Sequence, residues 1–185
     1  MSKTTLVCLW WLNNQSFKII IESVDLRIKI GVLKILIFII IKLDNTENVV
    51  KISYKELSLD SAVIRASLYL LSNLKIITLL EEAELIERDY YLVKYLYNDQ
   101  MFDIFNDCWA ELSNQKIIKF LKGTSNNQNM TYEALINYLM LVKGIKVRTG
   151  GIKPIYFDEE ILKGNFKGTW KEILIKYKLV EYLTL

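Results

Sequence analysis

The stretch Lys51–Leu80, KISYKELSLDSAVIRASLYLLSNLKIITLL, decides how the rest of the chain is read. Tyr54–Leu57 fits one turn of helix, and Ser58 with Leu59 makes a turn. Asp60 then offers a carboxylate to the unpaired N–H groups of the next helix. From Ser61 onward Ile64, Leu68, Leu71 and Leu74 recur three or four residues apart, the stripe of one helix face. The run then becomes β-branched at Ile76, Ile77 and Thr78, which predicts a strand.

Upstream, Asp25–Ile30 alternates Asp25, Arg27 and Lys29 with Leu26, Ile28 and Ile30, which taken alone describes a half-wet strand. Leu26, Ile30, Leu33, Ile37 and Ile40 also fall at helical spacing, against the β preference of the isoleucines. A polar loop follows at Asp44–Asn48, then a short strand at Val49–Ile52.

This order resembles the winged helix-turn-helix family from Asp25 to Lys94. Its matching pattern, a leucine followed after three residues by a small or polar residue and two aliphatics, is carried by Leu71, Lys75, Ile76 and Ile77. The family usually has glycine where Lys75 stands, and a small residue in the turn. The resemblance implies a helix over residues 24–43 ahead of the short one. It also implies wing strands at Ile76–Leu80 and Tyr90–Tyr95 around an acidic tip, Glu81–Glu84. One continuous helix from Leu79 to Phe105 competes with that wing. The resemblance makes Ser61–Leu74 the helix that reads DNA, with Ser61, Ala62, Arg65 and Tyr69 outward. The expected fold class is mainly α with small β-hairpins (α+β), winged helix-turn-helix-like, as one unit or two in tandem.

Elsewhere, Thr4–Leu12 is expected as a strand, Asn13–Ser16 as a turn and Phe17–Ile21 as extended chain. Met101, Phe102, Phe105, Trp109 and Leu112 predict helix over Tyr97–Leu121, with Ser113 able to cap a new helix inside it. Residues 123–129, all polar or small, are the expected linker between a domain at 1–122 and a smaller basic one at 130–185. There Thr131 caps a helix running to Val142, and Thr149-Gly150-Gly151 signals a hairpin between Ile145–Val147 and Pro154–Phe157. A second helix-turn-helix candidate spans Asp158–Val180. Its Leu174, Lys178, Leu179 and Val180 repeat the earlier pattern, and Phe157 to Lys178 is the same interval as Tyr54 to Lys75. Leu57 facing Glu160, and Ile64 facing Lys167, argue against a true repeat.

The 185 residues are 52% hydrophobic, which excludes wholesale disorder. Cys8 and Cys108 stand far apart, so they form neither a disulfide framework nor a zinc site; they fit buried thiols in a reducing cytoplasm. There is no histidine, the commonest general base and metal ligand. The longest apolar run, Val32–Ile41, is broken by Lys34 and is far shorter than the ~20 residues that span a bilayer. No phosphate-cradling glycine loop or nucleophile elbow occurs. Asp158, Glu159 and Glu160 with Lys163 read as partners of a helix dipole rather than a metal site. The chain is thus expected to be non-catalytic, without cofactor. Its richness in Ile, Lys, Leu, Tyr and Asn fits an AT-rich genome, as in thermophilic archaea, their viruses or low-GC bacteria.

The net charge is only +3, but it is unevenly spread. Glu81–Glu111 carries nine acids and two bases, whereas Lys143–Lys178 carries nine bases and four acids. The basic segment supplies Lys146, Arg148, Lys153, Lys163, Lys167 and Lys171 as phosphate-contacting candidates, beside Ser61, Arg65 and Tyr69. The acidic, aromatic 81–111 segment suits a basic protein partner or self-association. Two functions follow. One is a dimeric DNA-binding regulator or replication/transcription accessory factor, with RNA as an alternative ligand. The other is a protein–protein assembly subunit. For the latter, Ile145–Leu183 resembles the small C-terminal β-domain of archaeal GINS replication subunits, with Lys163-Gly164-Asn165 at that family's basic-or-polar, Gly, Asp position.

Overall fold

A computed structural model describes residues 4–8, 15–43, 48–80, 89–96, 109–123, 131–136, 138, 156–157 and 181–182. It is mainly helical with a small three-stranded antiparallel sheet and two two-stranded ones, an α+β arrangement. In chain order the elements are β1 (Thr4–Cys8), α1 (Gln15–Ser23), α2 (Leu26–Lys42), β2 (Val49–Ile52), α3 (Tyr54–Leu57) and α4 (Ser61–Asn73). They continue with β3 (Ile77–Leu79), β4 (Tyr91–Tyr95), β5 (Trp109–Ser113), α5 (Asn114–Lys122), β6 (Tyr156–Phe157) and β7 (Glu181–Tyr182). Residues 131–136 and 138 are also helical.

The core is built around α2. Asp25 caps it, its carboxylate accepting from the backbone N–H of Arg27 at 2.8 Å and of Ile28 at 3.1 Å. Every residue from Ile30 to Ile41 is buried. A helix that is apolar all round needs neighbours on every side, and α4, β2, β1 and α5 supply them. This burial settles the competition between strand and helix at Asp25–Ile30. Alternation holds over only a few residues, whereas the apolar material of the whole run is satisfied by enclosing one long helix.

α4 packs tightly against α2 beside Gly31. A Cβ there would collide with Ser67 Oγ and lie 2.7 Å from Val63 Cγ1. On its inner side α4 buries Val63, Ile64, Ser67, Leu68 and Leu71. Its end is closed by two backbone bonds, Lys75 N–H to Ser72 O at 2.9 Å and Ile76 N–H to Leu71 O at 3.0 Å. That is the 5→2 and 6→1 pattern of a left-handed helix stop, and Lys75 accordingly takes φ 55°.

β2, β4 and β3 form an antiparallel sheet in the order β2–β4–β3. Val50 pairs with Val93 and Ile77 with Tyr95 on the buried face; Val49 and Thr78 both flank Lys94 on the other. The strands expected at 76–80 and 90–95 are therefore present, and a continuous helix through them is excluded. The tip at 81–84 lies outside the described residues.

Two expectations are corrected. Phe17–Ile21 is not extended; it lies in α1, which also takes Gln15 and Ser16 from the expected turn. Phe17 and Ile21, four apart, are buried while Lys18, Ile19 and Glu22 face outward, so a helical period outweighs β-branching here. Trp109–Leu112 is not helical either. All five residues of β5 pair antiparallel with β1, Thr4 opposite Ser113 through Cys8 opposite Trp109, and α5 begins only after Ser113. α5 then buries Ile117, Phe120 and Leu121, and residues beyond the expected linker, Ala134, Leu135 and Tyr138, join the same core.

β6 and β7 pair in parallel, Tyr156 with Glu181. The remainder of the expected hairpin at 145–157, the second helix-turn-helix at 158–180, the helix over 97–108, the linker from 124 and residues 9–12 of the first strand lie outside the described residues.

Candidate nucleic-acid interface

The geometry of α4 begins at Asp60. One carboxylate oxygen accepts from the Val63 N–H at 2.9 Å, closing the first turn. The other pairs with the Arg27 guanidinium. This single side chain thus ties the start of α4 to the start of α2. Both partners are about half exposed, so the pair adds little stability.

The turn ahead of Asp60 is held from below by Lys34. Its ammonium, buried at 4% exposure, donates to Leu57 O at 3.0 Å and to Gly123 O at 3.4 Å. Burial lowers its pKa from the ordinary 10.5 to about 8. Beside it the Ser58 hydroxyl donates to Lys122 O at 2.6 Å, while Ser58 itself takes φ 49°. The α3–α4 turn and the C-terminal end of α5 are fastened to each other through α2.

Of the residues expected to contact nucleic acid, Ser61, Arg65 and Tyr69 lie four apart on the outer side of α4, so the structure brings these three together. Ser61 and Arg65 are half-buried at the flank of the stripe, and Tyr69 is 61% exposed. Ala62 and Asn73 complete the exposed positions. The other six candidates, Lys146, Arg148, Lys153, Lys163, Lys167 and Lys171, lie outside the described residues.

Several side chains with chemistry were not singled out by sequence reasoning. Arg27 appeared only as one polar residue in an alternating run. Lys51 lies over the Tyr90 ring, 3.8 Å from its centre, and Lys94 stands exposed on β4. Only the strand register shows that Lys51 and Lys94 share a face. Lys34 was visible as the one break in an apolar run, a signal of a cation that must find partners inside.

On the far side, Tyr132 lies beneath Lys29, 5.8 Å from Nζ to ring centre. Its phenol is pushed above the ordinary 10 by burial and by the Glu22 carboxylate. Tyr138 is raised further, by burial alone. Neither phenol ionises near neutrality. Among the described residues no three histidine, cysteine, aspartate or glutamate side chains gather as a metal ion requires, and no helix is long and apolar enough to cross a membrane.

No protein-family model, curated protein or solved structure matches the chain.

Proposed function

We propose that the chain is a non-catalytic nucleic-acid-binding protein, a regulator or an accessory factor of replication or transcription, whose α2–β4 unit is a winged helix-turn-helix presenting the outer stripe of α4 to duplex DNA. The observation that carries this reading is the order helix, strand, short helix, capped helix, strand, strand, closed by a β2–β4–β3 sheet. In such a unit the capped helix is the one free to enter a groove, and α4 is capped by Asp60 at one end and left exposed along one side. Ser61 and Ala62 are small enough for close approach, Arg65 is the donor for a base edge, and the Tyr69 phenol reaches toward phosphate. Lys146, Arg148, Lys153, Lys163, Lys167 and Lys171 are assigned to the phosphate backbone. The same reading makes the protein a cytoplasmic dimer that uses no cofactor.

The test is fluorescence anisotropy of a labelled duplex over a salt series. Affinity should fall steeply with salt, and Arg65→Ala should flatten the log–log slope by about 1. Lys167→Ala with Lys171→Ala should flatten it further. A labelled RNA of the same sequence, run in parallel, decides between the two nucleic acids. Absence of binding at low salt would refute the proposal.

One observation favours a second reading, a protein–protein assembly subunit of a replication or transcription complex, GINS-like in its C-terminal part. The α4 stripe carries a single cation, Arg65, among Ala62, Ala66 and Tyr69, a surface as suited to an apolar protein partner as to phosphates.

A further inference from the structure

The side of the β2–β4–β3 sheet turned away from the helices is apolar and basic at once. Residues of β4 and its flanks alternate, so Tyr90, Leu92, Lys94 and Leu96 share the outward phase. Leu80 joins them, because its N–H bonds to Leu92 O at 3.1 Å as an extension of the β3–β4 ladder. Lys51 stands directly opposite Leu92 on the other neighbouring strand. Of the five large hydrophobic residues exposed among the described residues, three lie here: Leu80 at 45%, Leu96 at 43% and Tyr90 at 39%. Among the described residues, the outward positions of β2, β3 and β4 and their flanks include two lysines and no acid; the nearest described acid along β4 is Asp89, outside the strand.

We propose that this sheet face docks an acidic amphipathic helix of a partner protein. Its apolar stripe would lie along Leu80, Leu92 and Leu96, and its carboxylates would reach Lys51 and Lys94. Charge selects the sign of the partner: the two lysines are diagonal neighbours, and among the described residues nothing of opposite sign lies between them. Lys51, although laid over the Tyr90 ring, has three N–H donors and keeps some for a carboxylate. Size selects a helix over a second copy of the chain. Tyr90 to Leu96 spans about 20 Å and the three strands about 10 Å. That footprint of roughly 200 Å² falls well short of the roughly 800 Å² each partner gives to a stable dimer. It matches one helix about 10 Å wide over about 13 residues. The leucines select protein over nucleic acid, whose bases stack on aromatic rings and whose phosphates gain nothing from leucine.

The probe is a fluorescein-labelled synthetic 14-residue helix with leucines three and four apart and glutamates elsewhere. A twin carries lysine for every glutamate, and anisotropy is read with the full chain. The glutamate peptide should bind, with affinity at least tenfold weaker for Lys51→Glu with Lys94→Glu and for Leu96→Ser, and at least tenfold weaker for the lysine twin. These positions are outward, and far-UV circular dichroism verifies that each variant is folded. Arg65→Ala should leave peptide binding unchanged, which separates this face from the proposed α4 contact. Equal binding of the two peptides, no binding of either, or undiminished binding by the variants would overturn the proposal. So would displacement of the peptide by a single-stranded oligonucleotide in a Lys94-dependent manner. Sedimentation showing a dimer that Leu96→Glu dissolves would instead make this a self-interface, and the proposal would again fail.

Discussion

Lys34 offers a measurement that depends on one buried charge. It sits in the apolar middle of α2, and among the described residues its ammonium donates to two carbonyl oxygens, Leu57 O at 3.0 Å and Gly123 O at 3.4 Å. In the unfolded chain it titrates at its ordinary 10.5; in the folded chain burial lowers this to about 8. Between those values the unfolded chain holds a proton that the folded chain has released, so stability must rise with pH through the interval. At about 1.4 kcal/mol per pH unit, the full rise is about 3 kcal/mol, and about 2 kcal/mol of it is reached by pH 9.5. Lys34→Met keeps the stem but removes the charge. It relieves the cost of burying an ion and leaves Leu57 O without its donor, two effects of about 1–3 kcal/mol in opposite directions. The difference between wild type and Lys34→Met at neutral pH is therefore small. What the variant loses is the rise. Urea unfolding followed by circular dichroism at pH 7 and pH 9.5 gives a double difference in which all other groups cancel. The expected value is about 2 kcal/mol in favour of wild type at the higher pH. Measurement stops at pH 9.5 because Tyr132 and Tyr138, raised above 10 in the fold, make stability fall as the unfolded chain ionises. An equal pH response in the two proteins would refute a desolvated Lys34 as the anchor of the α3–α4 turn.

Other substitutions probe the placement of α4. Lys75→Gly should stabilise the fold by about 0.5–1 kcal/mol, because a left-handed φ costs a residue with a Cβ about 1–2 kcal/mol, part of which glycine's greater freedom in the unfolded chain takes back; a raised Tm verifies it. Gly31→Ala should destabilise by about 1–3 kcal/mol, since the added methyl meets Ser67 and Val63, and denaturant titration reads the loss. Asp60→Ala should cost about 1–2 kcal/mol through the lost cap, whereas Arg27→Ala should cost less than about 1 kcal/mol because its pair is exposed. Equal costs for the last two would mean that the ion pair, not the cap, sets the start of α4.

The portion from Tyr54 to Leu79 is readable in the sequence because its signals are local. Asp60 announces a cap, and the Ile64–Leu68–Leu71 stripe announces a helix face. The parts that were misread depend on distant partners. Trp109–Ser113 carries a pattern that a helix could use, and only β1, about a hundred residues earlier, makes it a strand. Phe17–Ile21 is β-branched, yet two side chains four apart meet the core, and burial of that pair decides in favour of helix. For the candidate surfaces the same division holds. The outward phase of Ser61, Arg65 and Tyr69 follows from helical period alone. The company of Lys51, Leu80, Lys94 and Leu96 does not, because a slip of one residue in strand register would send each to the opposite face.

α4 is fixed at four separate places: the Asp60 cap and Arg27 pair at its start, the Gly31 contact in its middle, the left-handed stop at Lys75, and the Lys34 anchor under its turn. A helix held this firmly gives little entropy to binding, which lets a surface with one cation be useful if its shape fits. It also limits what that surface can contribute electrostatically. On the proposed DNA reading Arg65, the one cation of the outer α4 stripe, contributes a salt slope of about 1, with at most one more from Arg27 at the start of α4. Any slope well above about 2 for duplex DNA must therefore arise from cations away from α4, and the basic segment from Lys143 to Lys178 is the richest source. If Lys163→Ala, Lys167→Ala and Lys171→Ala together leave such a slope unchanged, the division of labour between a shape-reading α4 and a phosphate-holding C-terminal segment is wrong, and α4 returns to being a surface for proteins.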